Sequence, residues 1–325
     1  MPDKTQHNVR LVYMGTAEFA VPTLRRLVNE GYPLAAVVTQ PDKPSGRGQL
    51  MHPSPVKRNA LELDLKVHQP ATLKDDSVRI FFEKLQPDCI IVVAYGKLLP
   101  PWLIRLPRFG VVNLHGSLLP KYRGAAPIQW ALANGETETG VCTMQIDEGM
   151  DTGPVYLCEK TFIQAEETVP QLSERLADIG AELMIRTLSG IVSGSLHATA
   201  QDHSRASLAP ILRKEDGYID WRWPAQTVHN RVRALNPWPG TVTQFRGGLC
   251  RILKSKAGQP LEASKSPGSI VASKGLVTVA CGDGIGLELI EVQLPGRKPV
   301  SGKDFANGMR IQPGDSFELE VHQLS

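Results

Sequence analysis

Asn113 and His115 stand two residues apart in the run V-V-N-L-H-G-S-L-L-P-K-Y-R-G-A-A-P, residues 111–127. Both close an apolar stretch, Val111–His115, that reads as a β-strand. Side chains two apart on a strand share a face, so the carboxamide and the imidazole are expected to point the same way. A carboxamide can donate to an oxyanion, and an imidazole can donate or transfer a proton. Buried polar residues satisfied within a core have the same types, and the pair alone leaves both readings open. A second cluster, D-E-G-M-D-T-G at 147–153, sets three carboxylates in a glycine-containing loop after a further strand. Asp151 is the candidate to orient the His115 ring. No second histidine stands at ligand spacing, so a metal is the weaker use of these carboxylates. Asp147 and Glu148 also suit a solvated turn.

The third stretch is Q-P-D-K-P-S-G-R-G-Q-L-M-H-P-S-P-V-K, residues 40–57. It is long, basic and rich in Pro and Gly. Lys43 and Arg47 could reach phosphates from it and order on binding; a plain connection has the same composition.

The elements that must position these residues alternate through the first half. Val9–Met14, Leu34–Thr39, Val67, Cys89–Ala94, Val111–His115, Gly140–Ile146 and Val155–Thr161 read as strands. Phe19–Glu30, Val56–Leu63, Val78–Leu85, Ala126–Ala133 and Thr168–Ser193 read as helices. This alternation predicts an α/β, Rossmann-like unit with a mostly parallel sheet, which binds ligands beyond the carboxyl ends of its strands. Residues 196–212 are polar and aperiodic, as in a linker. Beyond them a short helix near Val228–Leu235 leads into brief β-rich runs: Thr241–Phe245, Cys250–Lys254, Gly268–Ala272, Leu276–Ala280, Ile285–Val292 and Phe317–Val321. They predict a smaller antiparallel β-barrel of the OB-like kind. The expected organisation is a catalytic domain over 1–195, a linker over 196–212 and a barrel domain over 213–325.

The chain has 325 residues, enough for two domains without a metal or disulfide staple. Its longest wholly apolar run, Cys89–Tyr95, has seven residues, against about 20 for a membrane span. With a polar start, MPDKTQHN, the expectation is a soluble, cytoplasmic protein. Five widely spaced cysteines (Cys89, Cys142, Cys158, Cys250 and Cys281) are expected to be reduced and buried. Residues 206–325 hold 15 Lys/Arg against 11 Asp/Glu, net +4, whereas residues 1–205 hold 21 against 22, net −1. That asymmetry suits a polyanion partner or an ordinary solvated surface. No G-x-G-x-x-G or Walker loop follows the first strand, and no G-x-S-x-G is present, which disfavours nucleotide-cofactor, NTPase and serine-hydrolase chemistry.

Taken together, the 113–127 run followed by D-E-G-M-D-T-G resembles the folate-dependent formyltransferase family. The family's Asn, His and Asp fall on Asn113, His115 and Asp151, and its folate-lining segment on Ser117, Leu118, Leu119 and Pro120. M-G-T-A-E-F-A-V-P (14–22), the basic loop, A-P-I-L-R-K-E-D-G-Y-I-D-W (209–221) and R-A-L-N-P-W-P-G (233–240) are similar to the branch that acts on methionyl initiator tRNA. The likeness covers most of the chain and fades after about residue 245. It implies 10-formyltetrahydrofolate as donor and no metal. Asn113 and His115 would stabilise the oxyanion, with Asp151 assisting proton transfer. Lys43 and Arg47 would meet the acceptor end of the tRNA, the C-terminal domain would hold it, and a monomer would suffice. Sister branches on the same scaffold formylate sugar nucleotides or hydrolyse formyltetrahydrofolate.

Overall fold

The computed structural model describes residues 9–45, 50–262, 265–273 and 275–319. They form two compact units. The first holds the chain up to Pro127, Glu138–Phe162 and Ser173–Pro210; the second holds Ile128–Thr137, Ile163–Leu172 and the chain from Ile211 onward.

In chain order the elements begin with β1 (Leu11–Gly15), α1 (Val21–Asn29), β2 (Leu34–Val38), β3 (Lys43–Ser45), β4 (Leu50–His52), α2 (Pro55–Glu62), β5 (Val67–His68) and α3 (Asp76–Leu85). Next come β6 (Cys89–Val93), α4 (Pro101–Ile104), β7 (Val111–His115), β8 (Arg123–Gly124), α5 (Pro127–Ala133), β9 (Glu138–Gln145), β10 (Val155–Phe162), α6 (Val169–Val192) and β11 (Leu208–Ala209). The main sheet runs β10-β9-β7-β6-β1-β2-β5. Its β7-β6-β1-β2-β5 part is parallel, and β9 and β10 extend it antiparallel. Every residue of β1 and β6 is buried, the condition of strands covered on both faces.

This layering sets the direction of the β7 side chains. Val111 belongs to the cluster with Phe82 of α3 and Leu103 of α4. Leu114 points the other way, onto Gly180 of α6, where a Cβ would come within 2.5 Å of the leucine. Glycine there lets helix and strand approach closely. With Leu114 fixed on the α6 face, the pleat turns Asn113 and His115 to the opposite one.

One expectation fails. Cys142 and Cys158 form a disulfide. Both strands were legible as strands, but a period of two does not reveal cross-strand register. The antiparallel pairing of β9 and β10 sets Cys158 opposite Cys142, with Cα atoms 4.1 Å apart. Cys89, Cys250 and Cys281 are free and buried as expected, and burial pushes each thiol up to about 12.

The second unit contains α7 (Ala225–Leu235), β12 (Thr241–Phe245), β13 (Gly248–Pro260), β14 (Ile270–Ser273), β15 (Leu276–Ala280), β16 (Ile285–Gln293), β17 (Val300–Ser301) and α8 (Gly302–Met309). Its antiparallel sheet runs β12-β13-β16-β15-β14, with β17 on β16. A final segment links the two ends of that path. Ile270 N donates to Asp315 O and Phe317 N to Gly268 O, while Glu318 N donates to Gln244 O. The sheet thus curls into the expected small barrel. These bonds stand in place of a regular strand over 317–321, of which 320–321 lie outside the described residues. Inside, Phe317 packs against Trp221, Phe245 and Phe305. The fully buried Trp221 donates its indole N–H to Thr243 Oγ1 at 2.9 Å, which meets the polar demand of burying a tryptophan. Buried Arg233 of α7 donates to the carbonyls of Gln164 and Glu167 at 3.2 and 3.1 Å.

Candidate active site

Asn113 and His115 share one face at the carboxyl end of β7, as the strand period predicts. Their surroundings differ. The His115 ring is buried, and its Nε2 lies 2.9 Å from the carbonyl of Tyr122. A carbonyl only accepts, so Nε2 carries the proton in that contact. The other ring nitrogen, Nδ1, faces Asp151 Oδ2 at 3.7 Å. That separation is too long for a hydrogen bond. Asn113 is half-buried. Among the described residues its carboxamide makes no hydrogen bond. Both of its N–H donors are therefore unengaged among the described residues, on the face of β7 that carries the imidazole.

Asp151 has a left-handed backbone, φ 53°, and its Oδ2 accepts from Gly124 N at 2.8 Å. The three candidate catalytic residues are brought together, but the ring is oriented by Tyr122 rather than by Asp151. The other two carboxylates of the loop are used elsewhere. Asp147 Oδ1 caps its own turn, accepting from Gly149 N at 3.1 Å and Thr152 Oγ1 at 2.8 Å. Glu148 is exposed and pairs with Arg105 at 2.6 Å. Among the described residues no group of three or more His, Cys, Asp or Glu side chains could hold a metal.

The Ser117–Pro120 segment turns directly after His115. Ser117 is buried and its hydroxyl donates to Lys121 O at 2.6 Å, so its proton is spent within the turn. Leu118 packs over Gly140, where a Cβ would lie 2.6 Å from the leucine. Leu118, Leu119 and Pro120 stay half-buried and offer an apolar edge. In the basic loop, β3 and β4 form a small hairpin. Exposed Lys43 donates to Gln40 Oε1 at 2.8 Å, and Gln40 Nε2 donates to Tyr95 O at 2.8 Å. Hydrogen bonds from Lys57 and Gln69 hold the Asp42 carboxyl below its ordinary range. Arg47 lies outside the described residues.

Similarity to known proteins bears on this arrangement. The model of the formyl transferase family matches residues 8–188, and that of the formyl transferase C-terminal domain matches residues 211–310. The chain belongs to the formyl transferase family. A relative from Solibacter usitatus, named methionyl-tRNA formyltransferase, is 48% identical over 95% of this chain and 98% of its own. One of the same name from Koribacter versatilis is 47% identical over 94% and 98%. Among solved structures, the N-formyltransferase from Helicobacter canadensis, in complex with folinic acid and dTDP-3-aminofucose, superposes with a TM-score of 0.66. That match is 18% identical and covers 86% of this chain and 98% of that one. At that identity it shows a shared fold.

In this formyl transferase the groups missed from sequence are mostly backbone. Tyr122 O and Gly124 N grip His115 and Asp151, and any residue type supplies such atoms. One signal was present: the turn Y-R-G, with Gly124 at φ 121°, lies inside the same motif. Gly124 also sits where a Cβ would come 2.6 Å from Ala209 O, so β8 can lie against β11.

Proposed function

We propose that the chain transfers the formyl group of 10-formyltetrahydrofolate to the α-amino group of methionyl initiator tRNA. The observation that carries this is identity of 48% and 47%, over almost the whole length of both partners, to relatives named for that activity. The Asn113 carboxamide, without a hydrogen bond among the described residues and on the same strand face as His115, supports the chemistry.

A free α-amine has a pKa of about 7.7–8.0, so much of it is neutral near pH 7.5 and no strong base is needed. The amine nitrogen attacks the formyl carbon and the carbonyl oxygen gains charge. Asn113 donates to that oxygen. His115 has Nε2 tied to Tyr122 O, so it acts through Nδ1. A proton arriving there faces the Asp151 carboxylate. The His115–Asp151 pair passes the amine proton to the folate nitrogen as the formyl–nitrogen bond breaks. Side chains supply each of these roles without a metal or a covalent enzyme intermediate. Residues 1–195 carry the chemistry, with Ser117–Pro120 along the folate, and one chain holds every group named. The barrel over 213–325 and the loop with Lys43 and Arg47 hold the tRNA. Formylation of a charged tRNA belongs with translation, in the cytoplasm. Among the described residues no helix is long and apolar enough to cross a membrane.

The tRNA grip is tested by salt and by one substitution. For a protein that neutralises phosphates, the logarithm of the affinity falls linearly with log salt, with a slope of about −0.7 to −0.9 per phosphate contacted. KM for methionyl initiator tRNA is expected to rise steeply with ionic strength while KM for 10-formyltetrahydrofolate barely moves. Arg47→Ala is expected to raise the tRNA KM and lower its salt slope by about one contact. Equal loss toward tRNA and folate would contradict this use of the loop.

A further inference from the structure

Residues 199–209 read from sequence as part of a plain linker. In the structure they bind both segments that hold the catalytic groups. Thr199 pairs with Val155. Tyr122 N donates to Ser207 Oγ at 2.9 Å, Arg123 N to Ser207 O at 2.8 Å and Ser207 N to Pro120 O at 3.3 Å. Between these ties stands Gln201. Its Nε2 donates to Asp151 O at 2.9 Å and to Gly153 O at 2.7 Å, spanning the turn in which Asp151 is left-handed. Its Oε1 accepts from Arg123 Nη2 at 2.7 Å and Nε at 3.2 Å. The amide is thus used at both ends. Arginine only donates, so the oxygen must face Arg123 and the nitrogen must face the Asp151 turn.

Arg123 is itself buried, at 6% exposure. Its guanidinium meets only neutral acceptors among the described residues: Gln201 Oε1 and His203 Nδ1, the latter 3.1 Å from Nη2. A buried cation without a carboxylate is costly unless its hydrogen bonds are made. Here two of those three bonds are directed at the amide that holds the catalytic turn. The next residue, Gly124, donates its N–H to the Asp151 carboxylate. Arg123–Gly124 therefore fixes Asp151 twice, at the carboxylate directly and at the backbone through Gln201.

We infer that Gln201, oriented by Arg123, is a positioning residue that sets the Asp151 carboxylate against His115. The kinetic side of this inference rests on the proposed formyl transfer; the structural side does not. A misplacement of about 1 Å costs about 10² in rate. Gln201→Met keeps the bulk and loses all four bonds. It is expected to lower kcat by about 10- to 100-fold, on that scale, with KM for 10-formyltetrahydrofolate within about twofold. It should also shift the pH profile of kcat. Gln201→Glu keeps the contact with Arg123 but loses the two donors, and is expected to be as impaired. Because Arg123 acts through Gln201, Arg123→Met with Gln201→Met should lose no more than the worse single variant. Amide hydrogen exchange of the peptide 147–155 should quicken at least about tenfold in Gln201→Met, with β1 and β6 unchanged.

Unchanged exchange in 147–155 would overturn the inference whatever the acceptor proves to be. So would wild-type kcat in both Gln201 variants, or additive losses in the double variant. A wild-type enzyme that transfers nothing to methionyl initiator tRNA would instead overturn the proposed function. The exchange result then decides the clamp alone.

Discussion

Asn113→Ala is expected to lower kcat by about 10²–10³ while leaving the melting temperature where it is. In the proposed mechanism the rate loss is the usual cost of removing one donor to a developing oxyanion, about 2.7–4 kcal/mol of transition-state stabilisation. The unchanged stability follows from geometry. The carboxamide is half-buried and makes no hydrogen bond among the described residues, so truncation orphans no partner. His115→Ala is expected to lose at least as much rate, but it also strips Tyr122 O of its donor. Asp151→Asn keeps an acceptor for Gly124 N and removes only the charge. A series in which Asn113→Ala is as active as wild type removes the carboxamide from the mechanism. One in which it unfolds the protein gives the carboxamide a structural role instead. Steady-state rates and thermal melts on the same preparations separate these outcomes.

Gly153→Ala is expected to be nearly as damaging, for a different reason. A Cβ at Gly153 would stand 1.8 Å from Gln145 O and 3.3 Å from Asp147 N. Neither is a flexible side-chain end. The backbone of the 147–153 turn must move, and Asp151 moves with it. Gln201 holds the carbonyls of both Asp151 and Gly153, so the shift also breaks the tie to Arg123. Overpacking of this kind costs about 1–3 kcal/mol. The expected result is a fall in melting temperature with kcat down by about 10² or more, the rate cost of displacing the proposed catalytic carboxylate by about an ångström. Folate binding, measured by fluorescence titration, should survive. Wild-type kcat in Gly153→Ala would show that the turn can yield without carrying Asp151 away.

The parts of the molecule legible in sequence are those where a side-chain period decides the outcome. β6, Cys89–Val93, is apolar at every position because both its faces are covered. The Asn113–His115 spacing told their common face. The site fails to appear where backbone atoms act. Tyr122 O and Gly124 N do much of the positioning, and their residue types carry no trace of it. Gln201 lies in an aperiodic polar stretch, where nothing distinguishes a buried amide from a solvated one. The Cys142–Cys158 bond needed the register of two strands, which their own periods do not contain. α8 was a readable omission. Ser301 caps it by accepting from Asp304 N at 3.1 Å, and S-G-K-D is a helix-start signal. The β3–β4 hairpin was hidden by the Pro and Gly of its loop.

The acceptor distinguishes this chemistry from that of the sister branches. Formyl transfer from 10-formyltetrahydrofolate should be measured with methionyl initiator tRNA, methionyl elongator tRNA, an amino-sugar nucleotide and water alone, in parallel at one ionic strength. Rapid transfer to the initiator species and little to the other three is expected. Transfer to the amino sugar, or loss of the formyl group to water at a comparable rate, would contradict it and place the same Asn113–His115–Asp151 chemistry in a sister branch.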